Sequence, residues 1–132
     1  MHWNELLKFS RRTEENINRW ARRYGIAENT EETYKKAKNR NYGRYVAVNT
    51  ENDNTVEFRM FRGTLKYDTF IATLQLVDEI CRCAITMNDS TMESMSWGDF
   101  VLGISSDKQE LINYLKSKRL YVNEIDNEGE DI

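Results

Sequence analysis

The chain has 132 residues, 39% apolar and 31% charged, with a mean hydropathy of -0.77, and fits one domain. No apolar run approaches the roughly 18 residues of a membrane span, and Met1-His2-Trp3-Asn4-Glu5 lacks the basic-then-apolar start of a secretion signal, so the cytoplasm is the expected location. The net charge of -3 conceals segregation. Residues 1–48 hold eleven Lys and Arg against six acids, while Val122 to Ile132 hold five acids and no base. A basic lobe and an acidic tail suit a charged partner, or more plainly a solvated surface with a disordered tail.

In chain order, residues 3 to 24 read as helical, in two pieces. Trp3, Leu6 and Leu7 form one apolar patch, and Ile17, Trp20, Ala21 and Tyr24 a second at helical spacing. Ser10 or Thr13 is placed to cap the second piece, and Arg19, Arg22 and Arg23 near its end suit the negative pole of the helix. A third short helix is expected from Asn29 or Thr30, with Lys35, Lys36 and Lys38 toward its end. Residues 44 to 61 then read as an antiparallel hairpin: Tyr45 to Val48, a turn over Thr50-Glu51-Asn52-Asp53-Asn54, and Thr55 to Phe61. Val56, Phe58 and Met60 share one face, and Glu57 and Arg59 the other.

A long helix is expected over about 68–87, with Phe70, Leu74, Val77, Cys81 and Ala84 facing the hairpin. Asn88 to Ser94 reads as a polar loop. Ser96 and Asp99 have capping-box spacing, Ser106 to Gln109 repeats the device, and a last helix carries Leu111, Ile112, Leu115 and Leu120. The fold class is therefore α+β: N-terminal helices, one hairpin, a long covering helix and short C-terminal helices. A single domain is expected over 1–121, followed by an acidic tail over 122–132.

Little in the chain suggests chemistry. His2 is the one histidine and stands at a terminus expected to fray, so nucleophile–histidine catalysis has no base. Cys81 and Cys83, two apart on a helix, point in different directions and read as small buried apolar residues. The glycines are isolated, so there is no phosphate-binding glycine loop. What remains is the strand face with Glu57 and Arg59, flanked by Arg62 and Arg44. A carboxylate beside guanidinium groups can hold Mg²⁺ and phosphate oxygens, or can simply form a cross-strand ion pair.

The string RYVAVNTENDNTVEFRMFRGTLKYDTF, with the ATLQLVDEI helix after it, resembles the closing part of the amidoligase family, whose fold is similar to glutamine synthetase and glutamate–cysteine ligase. HWNELLKFSRR and INRWARRYG resemble the segment before that hairpin. The resemblance implies a bacterial or phage origin, Glu57 as a metal-binding carboxylate, Arg59 and Arg62 as nucleotide-phosphate contacts, and Arg44 and Asn49 as first-strand site residues. Family members place further acidic strands and a histidine before this region, which this chain does not show.

Two readings follow. In the first, the chain is a non-catalytic binding protein of a mobile element, needing no cofactor. It would inhibit a host defence enzyme such as a CRISPR nuclease or its nucleic-acid complex, with Arg19, Arg22, Arg23, Lys35, Lys36 and Lys38 meeting the partner. In the second, it is an ATP- and Mg²⁺-dependent amidoligase that works as an oligomer or with a separate N-terminal half. A homodimer in which two hairpins or their open faces meet is expected, because a two-stranded sheet leaves open edges.

Overall fold

The computed structural model describes residues 2–23, 31, 32, 35 and 45–122. The third helix is therefore described only at Glu31, Glu32 and Lys35, and the tail beyond Val122 lies outside the described residues, as do Lys36, Lys38 and Arg44. The architecture is α+β. Its elements are α1 (Trp3–Ser10), α2 (Glu14–Trp20), β1 (Val48–Asn49), β2 (Glu57–Phe58), α3 (Tyr67–Thr86), α4 (Asp89–Ser94), α5 (Trp97–Leu102) and α6 (Gln109–Ser117). The chain divides into two compact units, one of Met1–Phe9 with Gly63–Ile132 and one of Ser10–Arg62.

In the unit of residues 10–62, Thr13 caps α2 by accepting a hydrogen bond from the Asn16 amide at 3.2 Å. Helix α2 ends at Trp20, and residues 21 to 23, expected to be helical, are not. Arg22 instead turns extended and forms a parallel bridge with Val46: its amide donates to the Tyr45 carbonyl at 3.0 Å, and its carbonyl accepts from the Ala47 amide at 2.9 Å. The hairpin register pairs Val48 with Phe58 and Asn49 with Glu57. Its strands are shorter than expected, but the Arg59 amide extends the ladder to the Ala47 carbonyl at 2.8 Å. With this register Val46 and Met60 fall on one face, and both are buried along with Ile17 and Ala21. Val56, expected on that face in the core, is 57% exposed because it precedes the paired residues.

In the other unit, α3 packs principally on α6. Its buried residues are Ala72, Leu76, Glu79 and Cys83, at spacings of four, three and four. The expected core line of Phe70, Leu74 and Ala84 is exposed, with Val77 and Cys81 half-buried. The inner face of α3 meets a core of Phe9, Phe100, Val101, Ile104, Leu111, Leu115 and Leu120. Gln75 fixes the start of α6, accepting from the Leu111 amide at 2.9 Å and donating to Glu110 at 2.8 Å.

Glu79 is a carboxylate 1% exposed in the middle of this core. Lys108 Nζ donates to its Oε1 at 2.7 Å, and Arg82 donates twice to its Oε2, at 2.9 and 2.8 Å. Burial opposes the charge on Glu79, but the hydrogen bonds from Arg82 and Lys108 and their positive charges outweigh it and hold the carboxyl below its ordinary range. Burial likewise disfavours the Lys108 cation, and bonds to Asp78 and Glu79 raise its pKa in spite of it. The cluster ties α3 to the residue that opens α6.

Several termini differ from expectation. Residues 89–94 form α4, with Asn88 accepting from the Thr91 amide at 2.8 Å, where a loop was expected. Helix α3 starts after Lys66, ahead of the expected residue 68, and α6 after Lys108, neither with a side-chain cap, so Ser106 does not have the capping role expected of it. The capping box of α5 is present, with the Ser96 and Asp99 side chains each accepting from the other's amide, at 3.0 and 3.1 Å. His2 is not frayed. Its Nε2 donates to the Met95 carbonyl at 2.8 Å, and its ring lies 6.0 Å from that of Trp97.

Candidate functional site

The hairpin register brings Asn49 and Glu57 opposite each other, and the pleat places Arg59 on the same face two residues on. Asn49 is buried with a fixed amide: its Oδ1 accepts from the Glu51 amide at 3.1 Å, which leaves Nδ2 to donate to Glu57 Oε2 at 3.2 Å. Arg59 Nη1 donates to the other carboxylate oxygen, Oε1, at 2.7 Å. Three of the residues expected from the family resemblance thus stand together. Both oxygens of Glu57 face donors.

Aromatic rings continue the face. The Arg59 guanidinium lies 5.4 Å from the centre of the Tyr45 ring. Tyr45 meets Trp20 edge to face at 5.5 Å, and the Arg19 guanidinium sits 5.0 Å from the Trp20 ring. Trp20 and Tyr45 remain 41% and 42% exposed, so rings and cations alternate along a surface open to solvent.

Two arginines next to the residues that open α2 also join this unit. Arg12 Nη2 reaches the Arg59 and Phe61 carbonyls, each at a long 3.5 Å, and Arg11 donates to the Arg62 carbonyl. Arg11 has a positive φ of 61°, a left-handed conformation uncommon outside glycine. The Nε atoms of Arg11, Arg12 and Arg59 are buried and have no hydrogen-bond partner among the described residues. Sequence reading missed Arg11 and Arg12. The available signal was an adjacent basic pair at a helix junction, which shows no link to residues some fifty positions away.

The other expected site residues are dispersed. The Arg62 side chain is exposed, and its amide donates to the Ser10 carbonyl at 3.0 Å. Arg22 and Arg23 are exposed, the first with its backbone in the sheet bridge. Lys35 forms an exposed pair with Glu31 at 2.8 Å. Among the described residues, no group of three or more His, Cys, Asp or Glu side chains is placed to hold a metal ion. Mg²⁺ bound with substrate phosphates takes one or two carboxylates. Glu57 offers one, already engaged by Arg59 and Asn49, and so fits an ion pair better than a metal ligand.

Two clefts in the other unit contain none of these residues. One, of about 640 Å³, lies at the start of α3 beside α6, with Tyr67, Asp68, Glu110 and Tyr114 among its walls. A smaller, nearly wholly apolar one of about 250 Å³ lies between His2, Cys83, Met92 and Trp97. Among the described residues, no helix is long and apolar enough to cross a membrane. Comparison with known proteins gives no match to a family model, a curated protein or a solved structure.

Proposed function

We propose that this chain is a non-catalytic binding protein whose hairpin unit grips a phosphate-bearing partner, with single-stranded nucleic acid as the ligand class. The observation that carries this reading is the open face on which the guanidinium groups of Arg19 and Arg59 alternate with the exposed rings of Trp20 and Tyr45. Guanidinium groups are strong donors to phosphate oxygens. Exposed rings beside cations supply the stacking platform that single strands use without regard to sequence. A mobile-element inhibitor that engages the RNA or DNA held by a host nuclease would need such a face.

Fluorescence anisotropy with labelled single-stranded DNA and RNA of about a dozen nucleotides, the length of a typical single-strand site, tests the reading. Tyr45→Ala should weaken binding by about 1–3 kcal/mol, the worth of one stacked base. Arg12→Ala and Arg59→Ala should each lower the salt dependence of log K by about 0.7. No binding at about 50 mM salt, where phosphate contacts are strong, would sink the reading.

The convergence of Asn49, Glu57 and Arg59 supports a second reading, the ATP-dependent amidoligase. Calorimetry with Mg-ATP separates the two. Binding abolished by both Glu57→Gln and Arg59→Ala would favour the ligase.

A further inference from the structure

Helix α3 has two apolar faces, and its own unit buries only one. The second runs through Tyr67, Phe70, Leu74, Val77, Cys81 and Ala84, at spacings of three, four, three, four and three. That is the heptad alternation of a helix seam, with Tyr67, Leu74 and Cys81 at one position and Phe70, Val77 and Ala84 at the other. Tyr67 is 72% exposed, Phe70 50% and Leu74 51%; Ala84 is exposed too, and only Val77 and Cys81 are half-buried. A helix apolar on both faces is one built to be covered on both.

We infer that this seam is the surface on which a second copy of the chain docks, through an antiparallel α3–α3 pair about a twofold axis. The sequence is complementary to itself in that register. Turning one helix about a point between Leu74 and Val77 sets Tyr67 against the other copy's Ala84, Phe70 against its Cys81, and Leu74 against its Val77. Each layer then joins a larger side chain to a smaller one, as interdigitated packing requires. No charged residue occupies a seam position between Tyr67 and Ala84, and Asp78 at its edge is already paired with Lys108.

The available area fits. Tyr67, Phe70, Leu74 and Ile85, the last 84% exposed, offer roughly 500 Å² per chain. Leu65, fully exposed just before α3, and the half-buried flanks bring two copies to on the order of 1,200 Å², the lower edge of specific interfaces. The twenty residues of α3 span about 30 Å, enough for all these layers.

Sedimentation equilibrium and spin-label distances test the placement. The chain should be dimeric at about 50 μM, and Leu74→Asp should weaken the dimer at least about 100-fold while leaving the helical circular dichroism intact. Val56→Asp on the hairpin should leave the dimer unchanged. With Cys81→Ala and Cys83→Ala, labels at Ala84→Cys should lie about 27 Å apart across an antiparallel pair, against about 10 Å for a parallel one. A monomer at that concentration overturns the inference, as does a dimer insensitive to Leu74→Asp or the shorter distance. Loss of the dimer in Val56→Asp alone overturns it too and moves the interface to the hairpin.

Discussion

Replacing Glu79 by Gln keeps the volume of the side chain and removes only its charge, so it measures what the buried ionic cluster contributes. Three donor contacts converge on this carboxylate, one from Lys108 and two from Arg82. Removing one member of a buried pair costs about 3–5 kcal/mol, because the remaining charge stays buried without its counterpart. Two features place Glu79 near the lower bound. The Arg82 side chain is 40% exposed and can be solvated, and Lys108 keeps Asp78, which is 70% exposed. We expect a loss of about 3 kcal/mol at neutral pH, or a melting temperature lower by about 12–20 °C for a unit of this size.

Urea unfolding followed by circular dichroism reads the difference, and its pH dependence supplies the sign. The folded carboxyl lies below its ordinary 4.5, so its contribution is full above that value and fades as pH falls through the lowered folded value. Wild type and Glu79→Gln should therefore converge in acid. Lys108→Met added to Glu79→Gln should restore part of the loss, since it removes the stranded cation. A cost under about 1 kcal/mol, or a difference that persists unchanged in acid, would refute the reasoning.

Leu76→Ala, at a fully buried position on the inner face of α3, should cost about 3–4 kcal/mol by leaving a cavity, measured by the same unfolding assay. Thr13→Ala removes the acceptor of the Asn16 amide and should cost about 1 kcal/mol, with Thr13→Ser restoring most of it. Arg119 takes a left-handed φ of 54° just past α6, where the Leu120 amide donates to the Leu115 carbonyl at 2.8 Å and the Arg119 amide to the Lys116 carbonyl at 3.1 Å. Glycine is the usual occupant of that place, so Arg119→Gly should gain about 0.5–1 kcal/mol, seen as a higher urea midpoint.

Local signals were legible and distant ones were not. The Thr13 cap and the Ser96–Asp99 box depend on residues three apart, and both stand as the spacing indicated. The existence of α3 was equally plain, but its inward face was not. Phe70, Leu74 and Val77 make the more apolar stripe, while the buried one contains Glu79, a carboxylate that becomes a core residue through Arg82 one turn on and Lys108, which lies 29 positions on. Arg22 sits in a run with helical spacing and still turns extended, because pairing with the Tyr45–Ala47 backbone outweighs one more turn of helix. At the candidate site, alternation along the second strand put Glu57 beside Arg59. Asn49 was named by the family resemblance and the register sets it opposite Glu57, while tertiary packing added Arg11, Arg12 and the Tyr45–Trp20 pair.

The bridge between Arg22 and Val46 also has a consequence for how this chain can vary. Its two partners are neighbours in space, so the backbone is pinned at both ends of the interval that joins them. Length can be gained or lost in that interval without shifting the hairpin register, at an entropic cost that grows only with the logarithm of the number of residues. Residues 23 to 45 carry Arg23, Lys35, Lys36, Lys38, Arg40 and Arg44, six of the chain's 19 Lys and Arg. Related chains could therefore change their charge by editing one interval, while the hairpin register keeps Asn49, Glu57 and Arg59 together.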